Sequence, residues 1–299
     1  MTLAATVGPT HATLTLEPLG PFSLEAAARF WGGFTPAGHT GLDAQGHLHM
    51  AFPLDGTWST VGVCLRSLDG SLTADVYGEA ELQVVRRQTA RILSLDVDGR
   101  ALPDVARRDG VAAGLLERFP GLRPVCFYSP YEAAVWAIVS HRIQMRQASA
   151  VKARLTEAFG QVVSIHGQSM RAFPSPRALS SLADFPGLFG RKPANIAAVA
   201  AAPLAGDLDA DRLRALPDDL ALAHLQELPG IGPFSSELIL LRGAGHPDYL
   251  TLLEPRFRRA VHDAYALDHE PTDADLRRIS EAWRPYRMWI TFLLRQSQT

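Results

Sequence analysis

The segment HLQELPGIGPFSSELILLRG, residues 224–243, constrains this chain more than any other feature. Pro229 stops a helix that ends near Glu227. Gly230 and Gly232 permit a tight turn at positive φ, and Pro233 opens a second helix where a first-turn proline is tolerated. The expected product is a pair of amphipathic helices joined by the hairpin Leu228-Pro229-Gly230-Ile231-Gly232. Such a turn points its backbone N–H groups and the second helix's N-terminus outward together. That arrangement binds an anion, and a DNA phosphate fits it. No side-chain charge is needed, which suits 299 residues with a formal net charge of −2. Contacts of this kind position a duplex without reading its sequence.

Around the hairpin the pattern predicts an α+β chain in two parts. Residues 1–103 read as a small lobe. ATLTLEPL alternates like a strand, and Leu24 to Trp31 has helical spacing before Gly32-Gly33. HLHMAFPL, WSTVGVCLRSL and SLTADVYG are strand-like, with Asp69-Gly70 as a hairpin signal, and Ala80 to Leu93 is helical again. The order β-α-β-β-β-α implies an antiparallel sheet with helices on one face. Residues 104–299 read as all-α, with helices near 104–118, 130–141, 145–159, 175–183, 192–201, 208–215, 218–227, 233–242, 254–266, 273–282 and 285–295. There is no internal repeat.

Composition excludes several classes. Hydrophobic residues make up 47% and charged residues 20%, an ordinary globular balance. No apolar run reaches the roughly 18 residues of a membrane helix. The stretch MTLAATVGPTHATLTL lacks the basic and apolar regions of a leader, so a cytoplasmic, nucleoid-associated location is expected. Cys64 and Cys126 cannot supply four thiolates, which argues against an iron–sulfur cluster and a structural zinc and for two core thiols. His141, His246 and His262 have no metal-ligand spacing. The basic residues are arginines except Lys152 and Lys192, and arginine suits planar phosphate contacts.

LPGIGPFSSELILLRG resembles the hairpin segment of the helix-hairpin-helix DNA glycosylases, in particular the bacterial 3-methyladenine DNA glycosylase II type. SPYEAAVWAIVSHRIQMRQASAVKARLTEAFG (129–160) resembles that family's early helix pair, and FPSPRALSSL (173–182) its proline-bounded segment. PDYLTLLEPRFRRAVHDAY (247–265) is similar to the stretch with the catalytic acid, and EAWRPYRMWITFLLR (281–295) to the C-terminal W-x-P-x-R helix. The N-terminal lobe resembles the family's TBP-like lobe by element order.

The resemblance implies base-excision repair. A damaged base, an alkylated purine in this type, leaves the duplex, enters a pocket and is cut from its deoxyribose through an oxocarbenium-like transition state stabilised by a carboxylate. That carboxylate, an aspartate in the family, falls on Glu254; Asp248 is the nearest aspartate. One extra methylene moves the charge by about an ångström, and Glu254 before Pro255 also fits a plain helix-start role. The lysine of bifunctional relatives falls on Phe234, so no lyase activity is expected. Pocket positions fall on Leu238 and Arg295, and a cationic Arg295 should repel a cationic base. Phe127, Tyr128, Trp136, Tyr286 and Trp289 are further stacking candidates against an ordinary core role. Arg142 falls where a side chain fills the gap left by the flipped base. Arg256, Arg258 and Arg259, joined by Arg284 and Arg287, are candidate phosphate contacts. The resemblance also implies a monovalent cation, Na+ or K+, on the carbonyls of Gln226, Leu228 and Ile231. The partner is double-stranded DNA and the chain a monomer. A non-catalytic DNA-binding paralogue is the alternative reading.

Overall fold

A computed structural model describes residues 10–33, 41–68 and 70–298. The leader test on residues 1–9 and the turn residue Asp69 lie outside them. The first part runs β1 (Thr10–Leu16), α1 (Leu24–Gly33), β2 (Leu48–Pro53), β3 (Thr60–Leu68), β4 (Ser71–Tyr77) and α2 (Leu82–Ile92), in the order the alternation predicts. The strands form one antiparallel sheet in the order β1-β4-β3-β2, and Leu68 pairs with Ser71 across the β3–β4 turn. Period-two alternation sends Leu48, Met50, Phe52, Val61, Val63, Leu65, Ala74 and Val76 to one face. There they pack on Leu24, Ala27, Ala28 and Trp31 of α1 and Val85 and Ile92 of α2.

The second part runs α3 (Leu102–Arg108), α4 (Gly110–Arg118), α5 (Pro130–Ser140), α6 (Met145–Phe159), β5 (Val162–Ile165), β6 (Gln168–Arg171), α7 (Pro176–Leu179), α8 (Lys192–Ala201), α9 (Ala210–Ala215), α10 (Asp218–Gln226) and α11 (Pro233–Leu238). A π-helical turn (Ile239–Gly243), α12 (Pro255–Ala264), α13 (Asp273–Ser280) and α14 (Arg287–Gln296) complete it. Helix α5 is buried from Pro130 to Val139, which explains its all-round apolar sequence. The Ser129 hydroxyl caps it by accepting the Glu132 N–H at 3.1 Å.

The second part is not all-α. Its β5–β6 hairpin turns at His166-Gly167, both at positive φ (49° and 78°), and covers the second face of the sheet around Ala51, Cys64 and Tyr77. Strands of four residues offer too little alternation to stand out beside long helices. The expected helix 104–118 breaks at Asp109, whose side chain caps α4. The expected helix 175–183 shrinks to Pro176–Leu179.

Candidate active site and DNA interface

The predicted hairpin forms between α10 and α11. Within the turn the Ile231 N–H donates to the Leu228 carbonyl at 3.1 Å. Gly230 takes φ 86°, as expected. Gly232 does not: its φ is −106° and ψ −175°, extended backbone that any residue adopts, and it serves as the N-cap of α11. With no side chain there, no side-chain cap bonds the first turn of the helix, and Pro233 at its start has no N–H to satisfy. The Ile231 side chain anchors the turn in the main helical core, while Phe234 is half exposed beside it.

Beyond the hairpin lies a cavity of about 1210 Å³. Its walls come from both parts of the chain. Phe30 comes from α1, Phe127 and Trp136 from α5 and the segment before it, and Phe234, Glu237, Leu238, Leu241 and Arg242 from the helix after the hairpin. Thr251, Glu254 and Arg256 enter before and at α12, and Met288, Thr291, Phe292 and Arg295 from α14. The π turn at 239–243 shifts the register of the hairpin helix where Leu241 and Arg242 face the cavity.

Three carboxylates (Glu25, Glu237, Glu254) and five guanidinium groups (Arg29, Arg118, Arg242, Arg256, Arg295) line this space. Glu254 is the N-cap of α12: its Oε1 accepts the Arg256 N–H at 3.2 Å, and its Oε2 lies 3.3 Å from Arg295 Nη1. Glu237 accepts from Tyr249 Oη at 2.9 Å and Thr251 Oγ1 at 2.5 Å. Burial pushes its carboxyl above the usual carboxylate range against the lowering effect of those two bonds. Arg242 lies beside the Phe30–Phe292 pair, 5.4 and 5.3 Å from their ring centroids, and donates from Nε to the Val125 carbonyl at 3.1 Å. Burial pushes its guanidinium down to about 10. On α14, Thr291 Oγ1 and Arg295 Nε are buried without a hydrogen-bond partner among the described residues, one turn apart on the cavity wall. Buried polar atoms of this kind mark where a ligand's own groups bond.

No profile of a known protein family matches the chain. Sequence relatives include DNA-3-methyladenine glycosylase of Bacillus subtilis (strain 168), 23% identical over 205 residues, 67% of this chain and 67% of the relative. Another is a probable bifunctional transcriptional activator/DNA repair enzyme AlkA of Mycobacterium tuberculosis (strain CDC 1551 / Oshkosh), 29% identical over 219 residues. That match covers 71% of this chain but only 42% of the mycobacterial protein. Among solved structures, 3-methyladenine DNA-glycosylase from Archaeoglobus fulgidus superposes with a TM-score of 0.76 at 23% identity, over 95% of this chain and 97% of that one. The chain thus shares its fold with this solved glycosylase and is similar in sequence to these DNA glycosylases over about two thirds of its length.

Within that fold, the residues singled out in the sequence fall into two groups. Glu254, Phe234, Leu238, Phe127, Trp136, Arg256 and Arg295 all line the cavity. Arg142 is exposed, at φ 54°, in the α5–α6 loop, between Ser140 and Met145 at the cavity edge. Lys192 Nζ fixes that loop by donating to the Val139 and His141 carbonyls, each at 2.8 Å.

Other candidates are core residues. Tyr128 stacks on Phe52 in the sheet core with a centroid separation of 5.2 Å, and Trp289 and Tyr286 pack together at 5.1 Å in the C-terminal core. Arg258 is committed to the Pro271 carbonyl and to Asp273 at 2.6 Å, so it is no free phosphate contact. Arg284 and Arg287 both bind Asp248, at 2.8 and 3.1 Å, which occupies all three away from the cavity lining. Arg256 and Arg259 stay exposed on α12. Arg295 is not a bare cationic wall, because Glu254 opposes its charge.

Sequence reasoning missed Glu237, Arg242, Phe30, Thr291 and Phe292. Charged residues inside the apolar run SSELILLRG are the local signal, and they point to Glu237 and Arg242.

Proposed function

We propose that this chain is a monofunctional DNA N-glycosylase of base-excision repair, which flips damaged, alkylated purines into the cavity and cuts their N-glycosidic bond. The observation that carries the reading is Glu254 on the cavity wall, at the start of the helix that follows the hairpin unit. A duplex held by the hairpin N–H groups and by Arg142 in its gap would present the extruded nucleotide to that wall. The bond between C1′ and the base nitrogen breaks with its electrons leaving on the base. The carboxylate faces the positive charge that develops on the sugar, and water then adds at C1′. Arg295 and the Arg256 N–H hold the carboxylate in one orientation.

Substrate choice follows from the walls. Phe30, Phe127, Trp136 and Phe292 supply stacking surfaces. Glu254 lies 3.3 Å from Arg295 and offsets its charge, so a cationic alkylated purine does not meet a bare cation at that position. Arg295 Nε can donate to an acceptor on its edge. Phe234, where bifunctional relatives have their lysine, leaves no amine at that position to form a Schiff base. The same reading takes the chain as a cytoplasmic monomer at the nucleoid, because the hairpin, Arg142 and the cavity mouth must stay open to a duplex. A monovalent cation on the carbonyls of Gln226, Leu228 and Ile231 belongs to it as well; Leu228 already accepts one N–H and keeps one lone pair.

The test uses duplexes bearing 3-methyladenine, 7-methylguanine, ethenoadenine, hypoxanthine or uracil, scored for abasic sites. Alkylated purines should be released without strand cleavage or borohydride trapping. Glu254→Gln should slow release by at least about a hundredfold with duplex binding retained. Unchanged release by that variant would refute the assignment of the carboxylate. Binding to abasic DNA with no release from any lesion would favour a non-catalytic paralogue.

A further inference from the structure

The second face of the N-terminal sheet carries a cluster that the glycosylase reading does not use. His47 and His49 sit two residues apart and project to the same side of β2. His49 lies directly opposite Cys64 in the β2–β3 register. The β5–β6 hairpin closes over this face: at Gly62 a Cβ would lie 2.8 Å from the Ile165 side chain, so glycine admits the hairpin there. The turn then delivers His166, whose Nε2 stands 3.2 Å from Cys64 Sγ. The ligand atoms of His47, His49, Cys64 and His166 all lie within 4.8 Å of one another, the one such group among the described residues.

Three features fit a cation and fit poorly with packing alone. His49 is 9% exposed, and its Nε2 has no hydrogen-bond partner. Asp43 Oδ2 sits 3.4 Å from that atom and 3.8 Å from His47 Nδ1. Its other oxygen is fixed by the N–H groups of Gln45 and His47 at 2.9 and 2.8 Å. Tyr77 Oη lies 3.2 Å from both ring nitrogens of His166, so it can hold Nδ1 when Nε2 turns to a metal beside the sulfur. A hydroxyl on the second nitrogen orients a metal-bound imidazole, and the Asp43 carboxylate adds negative charge beside the nitrogens of His47 and His49.

We propose that His47, His49, Cys64 and His166 form a structural zinc site that fastens the β5–β6 turn to the N-terminal sheet. Three imidazole nitrogens and one thiolate are a tetrahedral donor set, and four protein ligands leave no open position for catalysis. Zinc–nitrogen bonds of about 2.0–2.1 Å and a zinc–sulfur bond of about 2.3 Å bring ligand atoms to roughly 3.3–3.6 Å apart. The exposed His166 turn can supply the closure needed from 4.8 Å. A zinc dication would be balanced by the Cys64 thiolate and Asp43. Two cysteines in the chain exclude a four-thiolate site, but a centre with one thiolate needs only one of them.

The untagged full chain, purified without chelator and dialysed against zinc, should carry one zinc by elemental analysis. Cobalt(II) in its place should give tetrahedral d–d bands and a sulfur-to-cobalt charge-transfer band. Cys64→Ser should abolish the charge-transfer band. His166→Asn changes an exposed turn residue at a φ that asparagine tolerates, so the fold is retained. It should weaken zinc binding by more than about tenfold and remove the rise in melting temperature that zinc gives the unmodified chain. Well under one zinc per chain after loading, or a cobalt spectrum unaltered in both variants, would overturn the proposal.

Discussion

Glu237 is a carboxylate set in an apolar helical segment, held by hydroxyls twelve and fourteen residues away. Nothing local in the sequence reveals those partners, whereas Glu254 is legible because the hairpin fixes its position in the family pattern. The helix-start role of Glu254 and the catalytic role proposed for it do not exclude each other. The helix-start bond to the Arg256 N–H and a place on the cavity wall coexist in one side chain. Glu237 makes a pH prediction. Burial raises its folded pKa above the unfolded value, so the folded chain holds the proton more tightly. Its contribution to stability is then fully present below the unfolded value, roughly 4.3, and is lost as pH rises through the folded value. Glu237→Gln should flatten the stability profile across that interval and leave it unchanged at lower pH. Melting temperatures of both proteins from mildly acid to neutral pH check this; parallel profiles would show that Glu237 feels no net desolvation.

At the scale of elements, the hairpin was legible and the β5–β6 pair was not, for one physical reason. Proline and glycine punctuation between two long amphipathic helices is a local signal. A pair of four-residue strands acquires its meaning from a sheet about a hundred residues earlier, where Val163 and Ile165 find their partners. Even in the hairpin, the sequence pattern could not distinguish its two glycines. Gly230 needs positive φ, and a Cβ there would lie 2.5 Å from Asn195 Nδ2; Gly232 is extended, with no atom within 4 Å of a Cβ. Gly230→Ala should therefore lower stability by roughly 1–2 kcal/mol, and Gly232→Ala by less than about 0.5 kcal/mol. Denaturant titration of the two single variants is the measurement. Equal losses would mean that the turn needs glycine at both positions. A Gly232→Ala chain that stays stable but binds duplex more weakly would locate the phosphate against that open space.

At the scale of the whole molecule, packing runs across the boundary that the sequence pattern suggests near residue 103. Val125 and Tyr128 belong to the sheet core, and Phe30 of α1 meets Phe292 of α14 edge to face at 4.9 Å. The cavity therefore has walls from both parts, and no local pattern could have supplied Phe30 to it. Arg123 is the clearest link. It is 1% exposed, lies 5.1 Å from the Trp289 ring, and donates to the carbonyls of Leu19 (2.6 Å), Pro21 (2.9 Å), Ser94 (2.9 Å) and Val97 (3.0 Å). Burial pushes its guanidinium down to about 10, which is still charged at neutral pH. Arg123→Met keeps most of the side-chain volume but leaves four carbonyls without their donor. Buried groups left unpaired cost about 1–3 kcal/mol each before water relieves some of them, so a loss of about 3 kcal/mol or more is expected. Because the two parts share cores, that loss should lower one common transition, followed alike by tryptophan fluorescence and far-ultraviolet circular dichroism. Two separated transitions in the unmodified chain, with only the first moved by Arg123→Met, would show that the parts fold independently and meet at an ordinary domain interface.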